Sequence, residues 1–201
     1  MGYYIRVLAL DDTPLTKAEL WAALPANPRC ELVMESGSAA DWSQLALRHV
    51  GAQEIAIIER NLVMPGELGE AEIAEFIEEA KDGKPQSAAR WLENFLPRVK
   101  AIYAFQLLGG TDVGDGWTAV HALQRYIWSR CNGILQADGE GFTNEDGYHI
   151  LWQFSDHVTG NWNMAVLKED STWTRFQMDL GNHEDRAEFT QGRIPKSAKL
   201  L

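Results

Sequence analysis

The chain has 201 residues, 45% of them apolar and 23% charged, which suits a folded soluble protein of one domain or two small ones and is too apolar for disorder. Its 29 acids against 18 bases give a net charge of -11, which argues against the Lys- and Arg-driven binding of nucleic acid or of anionic membrane. No run of 18 apolar residues offers a membrane span, and two cysteines, Cys30 and Cys131, cannot build a disulfide framework or a zinc cage.

The start, MGYYIRVLALDD, lacks a small-residue cleavage site and reads as a strand over 3–10, not as a signal peptide. Thr16 with Glu19 three residues on makes a capping box and predicts a helix over 17–24, stopped by Pro25. Strands are expected over 30–35, 42–49 and 54–63, with a hairpin at 50–53. From 67 to 81 the period changes. Leu68, Ile73, Phe76, Ile77 and Ala80 recur at helical spacing beside a row of glutamates, a solvated face or an anionic surface for a basic partner. Gly83 and Pro85 close that helix, and Ser87 opens another that runs to Pro97.

A fifth strand is expected over 101–108, then a loop, GGTDVGDG, and a helix over 117–130 with Asp115 as its cap. Strands follow over 133–138, 148–155, 162–167 and 173–180. Asn182 caps a last helix that Gly192 and Pro195 terminate, and 196–201 reads as a flexible tail. Both halves therefore show strand, helix, then three strands, with an extra strand and a C-terminal helix in the second. Residues 31–37 align with 133–139, and 55–58 with 164–167. The expected fold is α+β: two similar β-α-β-β-β units, 1–97 and 98–195, forming mostly antiparallel or mixed sheets with helices on one face. In architecture this resembles the vicinal-oxygen-chelate arrangement, which pairs such units around a metal cup. The first strand, YYIRVLAL, has no His or Glu in a ligand position, so the resemblance supplies no site.

Several chemistries fail on spacing. Gly114-Asp-Gly116-Trp-Thr-Ala119 matches a dinucleotide fingerprint, but the glycines lie six residues past the strand and Asp112 and Asp115 would repel a pyrophosphate. Counted from Asp138, a calcium loop would need ligands where Phe142 and His149 stand. The five histidines show no zinc-binding pair. Cys131 with His149 as base is conceivable, though a buried inert thiol is the commoner state.

What stands out is polarity between 131 and 157. If the strands over 133–138 and 148–155 pair, Gln136, Asp138, His149 and Gln153 share one side of a sheet, with Glu140 in the turn. Trp173 and Arg175 form the outward face of the ninth strand, a contact surface for protein or sugar. These seven residues are the candidate binding face. No catalytic, cofactor or metal set is assembled. The expected function is a noncatalytic, cytoplasmic, immunity-type inhibitor of a basic protein. The alternative is an enzyme or a small-molecule or metal binder working from Gln136, Asp138, His149 and Gln153.

Overall fold

In the computed structural model, which describes residues 2–26, 29–51 and 53–201, the elements run β1 (Tyr3–Ala9), α1 (Lys17–Ala23), β2 (Cys30–Gly37), β3 (Trp42–His49), β4 (Glu54–Leu62), α2 (Leu68–Lys81), α3 (Gln86–Phe95), β5 (Ala101–Leu107), α4 (Gly116–Cys131), β6 (Ile134–Ala137), β7 (Gly141–Thr143), β8 (Asn161–Leu167), β9 (Trp173–Asp179), α5 (His183–Thr190) and β10 (Lys199–Leu200). The fold class is α+β. No described helix is long and apolar enough to cross a membrane. The chain divides into two compact units that are discontinuous in sequence. One takes residues up to Ala71 together with Val99–Gly133, the other Glu72–Arg98 together with Ile134–Leu201.

The first unit is built on β5. Its AIYAF run has no polar alternation, so it must be covered on both faces, and Ala101 to Phe105 are all buried. β1 pairs antiparallel along one edge of β5, with Val7 against Tyr103, and β4 along the other, with Arg60 against Tyr103. β3 and β2 extend the sheet to the order β2-β3-β4-β5-β1. β5 thus separates β4 from β1. The first β-α-β-β-β run does not close a sheet by itself, because its end strands reach each other only through the strand that opens the second. Helices α1 and α4 pack together, and α4 also lies against β1 and β4.

Local signals act as the sequence predicts at two helix starts. Thr16 Oγ1 accepts from Glu19 N at 3.2 Å while Thr16 N donates to Glu19 Oε2 at 2.7 Å, and Asn182 Oδ1 accepts from Glu184 N and Asp185 N. At α4 the expected cap fails. Asp115 makes no side-chain cap bond, and its backbone (φ -92°, ψ 16°) lacks the extended form that turns a capping side chain inward. The loop before α4 is held by protein instead. Gly110 N and Thr111 Oγ1 donate to the carbonyls of Glu54 and Ile55 at 2.9 and 2.6 Å. A Cβ at Gly110 would stand 2.4 Å from Glu54 O, so this glycine serves a close approach of the chain to itself.

In the second unit β8, β9 and β10 form an antiparallel sheet in the order β10-β9-β8. Phe154, Met164, Phe176, Met178 and Phe189 make the core beneath it. Residues 196–201, expected as a free tail, add an edge strand: Lys199 pairs with Gln177 and Leu200 with Phe176. Residues 148–155, expected as a strand, form only isolated bridges at His149. The partner foreseen for them is taken, because β6 turns within three residues into β7.

Replacing Thr16 with Ala removes a working cap and should lower stability by about 1 kcal/mol. Replacing Asp115 with Ala removes none and should change it by less than about 0.5 kcal/mol. Urea unfolding midpoints of the two variants, at unchanged slope, check both.

Candidate functional site

The candidate face is set out by three short segments. β6 and β7 pair with Leu135 opposite Thr143, Gln136 opposite Phe142 and Ala137 opposite Gly141. The turn at Asp138-Gly139-Glu140 is closed by Glu140 N donating to Ala137 O at 3.1 Å. Asn144 reverses the chain again. Fully buried, it accepts at Oδ1 from Asp146 N and Tyr148 N at 3.2 and 3.0 Å. That second reversal brings His149 opposite Thr143.

The register decides the face. Residues directly opposite each other across a ladder project to the same side, and neighbours along a strand project to opposite sides. His149 stands opposite Thr143, and Thr143 opposite Leu135. Gln136 stands opposite Phe142, one residue out of step. Gln136 and His149 therefore project to opposite sides, and the four-residue polar face foreseen from direct pairing does not form. A one-residue difference in pairing is enough to invert every side chain.

Each remaining residue has its own setting. Gln136 is buried, whereas Asp138 and Glu140 are part-exposed in the turn. Gln153 passes beside Gly141, where an added Cβ would meet Leu151 O at 2.7 Å and Gln153 Cβ at 3.3 Å; with φ +94° as well, this position requires glycine. Trp173 packs edge-on against Trp91 at 5.4 Å, and Trp91 stacks on Phe95 at 4.9 Å. Arg175 pairs with Asp146 at 2.5 Å and lies over the Tyr148 ring at 5.4 Å. Asp146 and Asn144 thus serve the turn and an ion pair. Among the described residues no cluster of three His, Cys, Asp or Glu side chains could hold a metal.

His149 is embedded in aromatic rings, with Phe154 at 5.2 Å and Trp162 at 4.9 Å between centroids. Its Nδ1 lies 3.3 Å from Thr143 Oγ1. Loss of hydration disfavours the imidazolium and pushes the His149 pKa down to about 4. The ring is neutral at pH 7 and is held by packing, and among the described residues it has no carboxylate partner to orient it as a general base. Cys131 belongs to the other unit. Burial pushes its thiol up to about 11, and Sγ contacts Trp128 O at 3.6 Å, so it carries no thiolate to act as nucleophile.

Two buried arginines, passed over in the sequence, are more deeply engaged than any residue singled out there. In the second unit Arg186 donates to three backbone carbonyls: Leu180, Asp156 at 3.0 Å and Val158 at 2.6 Å. It also lies over Trp152 at 5.4 Å. In the first unit Arg60 donates to Asp41 Oδ1 at 2.8 Å and to Asp12 O at 2.7 Å. The hint of Arg60 in the sequence is the charged pair Glu59-Arg60 that follows the apolar run IAII.

A depressed His149 pKa has a definite consequence. Between pH 6.5 and 4 the unfolded chain binds a proton there and the folded chain does not, so stability falls as pH drops through that window. The expected loss is roughly 3 kcal/mol at its lower end, and His149→Leu should remove it. Denaturant midpoints at pH 7 and pH 4.5 check this, and the His149 imidazole itself titrating by NMR near 6.5 in the folded protein would overturn it. Compared with protein-family models, curated proteins and solved structures, the chain matches none.

Proposed function

We propose that this protein is a noncatalytic binding protein for a basic protein partner, of the immunity-inhibitor kind, and that the outer face of α2 receives that partner. The observation that supports it is charge left over on this helix. Glu70, Glu75, Glu78 and Glu79 are exposed there, and the single cation of the helix, Lys81, pairs with Glu78. Glu70 accepts from Gly66 N. Glu75 and Glu79 make no ion pair with a described residue, and Glu75 lies one turn from both Glu78 and Glu79. Like charges at that spacing oppose the helix by a few tenths of a kcal/mol per pair. A cationic surface docked on this face would turn that repulsion into attraction, and a net charge of -11 would steer its approach.

The face of Trp173 and Arg175 is a weaker docking surface, because Trp91 and Asp146 already occupy those side chains. The buried free thiols of Cys30 and Cys131 suit a reducing, cytoplasmic setting. An internal duplication is part of the same proposal, supported by the adjacency of β1 and β5 and of the helices α1 and α4 that follow them.

The test is retention of proteins from the native host on immobilised wild type and on the Glu75→Gln, Glu78→Gln, Glu79→Gln variant, at 50 and 300 mM NaCl. A basic protein held by the wild type at low salt and lost with the variant is the expected result. Equal retention by both, or no basic protein on either, would sink the reading. The same variant should be more stable than the wild type by a few tenths of a kcal/mol, visible as a higher melting temperature.

A further inference from the structure

In the first unit a cavity of about 270 Å³ opens where the loop after β1 meets the end of α4. Leu10 N donates to Cys131 O at 3.1 Å, and this bond ties the two segments together. Tyr103 and Cys131 line it as buried groups, while Asp11, Thr13, Arg130 and Asn132 line it from exposed positions. The volume equals that of roughly nine water molecules. It falls just short of the roughly 300 Å³ at which pockets for drug-sized ligands begin. A small polar molecule fits within it.

The charges around the cavity are of both signs and are not spent on each other. Asp11 and Arg130 border the same space, yet neither makes an ion pair with a described residue. Arg130 acts weakly on Glu19, which is committed to the Thr16 cap, and Lys100 acts weakly on Asp11. Asp11 is oriented: Oδ1 accepts from Thr13 N at 2.8 Å, and bonding to Thr13 holds its carboxyl below the usual range, so it is ionised at neutral pH.

A buried donor completes the set. Arg60 stands opposite Tyr103 across the β4–β5 ladder, and its positive charge acts on the Tyr103 hydroxyl without fixing where the phenol hydrogen points. Tyr103 lines the cavity, and burial raises its pKa, so that hydrogen is retained. Arg60 is itself fixed by Asp41 and by the carbonyl of Asp12, the residue next to Asp11. Arg60 therefore anchors the loop that carries the carboxylate and faces the strand position that carries the phenol.

We propose that this cavity binds a small zwitterion of the free α-amino-acid class, its ammonium group at Asp11 and its carboxylate at Arg130, with the Tyr103 hydroxyl donating to that carboxylate. This goes beyond the partner reading for α2 and does not depend on it. A ligand with both charges is favoured over a simple anion or cation, because either alone would leave one of the two rim charges facing it with the wrong sign.

The test is a melting-temperature and amide-NMR series with the 20 common L-amino acids, each at 10 mM, beside acetate and methylammonium at equal ionic strength. At least one amino acid should raise the melting temperature by about 2 °C or more and shift the amides of Thr13 and Asn132, with neither single-charge control doing so. Asp11→Asn, which keeps an oxygen for Thr13 N, and Arg130→Gln are exposed changes and should fold as the wild type does by circular dichroism. Each should weaken the dissociation constant at least tenfold, and Tyr103→Phe should weaken it less. The proposal is overturned if no amino acid acts, if acetate or methylammonium acts equally, or if binding survives both rim variants unchanged.

Discussion

The strand β5 imposes the constraint on which the first unit depends. It is apolar on both faces and hydrogen-bonded along both edges, so it can only be an interior strand. β1 and β4 must flank it, and apolar side chains must cover it above and below. Because Tyr103 lies at the middle of this strand, its ring is locked in place, with Trp42 6.0 Å away. Only the hydroxyl end of the side chain is left to do chemistry. The same pairing sets Arg60 opposite Tyr103 across the β4–β5 ladder, so the guanidinium and the phenol are partners by register. A buried charge is tolerated there because Asp41 and the carbonyl of Asp12 take two of its donors.

The second unit handles its buried polar groups by the same physics, with other outcomes. Arg186 remains charged inside the protein and spends its donors on backbone carbonyls, tying α5 to the irregular chain at 156–158. His149 instead remains neutral: aromatic rings surround it, and among the described residues no carboxylate pairs with it to stabilise a proton. Burial therefore yields a structural anchor in one case and an acid-sensitive core residue in the other. Polarity in the sequence marks both positions and cannot tell them apart.

Much of the local structure was legible in advance. The Thr16–Glu19 box, the Asn182 cap, the helical period of 67–81 and the apolar runs of β1, β4 and β5 each follow from interactions within a few residues. Trp173 and Arg175 also stand apart from the core face of Phe176 and Met178, as alternation predicts. The failures share a cause. β7 is three residues long and leaves almost no periodic signal, yet by pairing with β6 it displaces 148–155 from the sheet. The candidate face of Gln136, Asp138, His149 and Gln153 rested on that pairing. Asp115 has a capping residue's chemistry, but the loop bonded to Glu54 and Ile55 denies it the geometry.

By itself the sequence determined the fold class, the acidity, the helix ends that cap locally and where most of the apolar strands lie, because propensity, charge and periodicity act at short range. Only the tertiary structure decided which strands are neighbours, and with that the side of the sheet to which each polar residue points. Pairing is a long-range choice among apolar strands of similar composition, and a shift of one residue inverts its result. For the same reason Asp11, Tyr103 and Arg130, spread over more than half of the chain, show their relation only when the sheet brings them around one cavity.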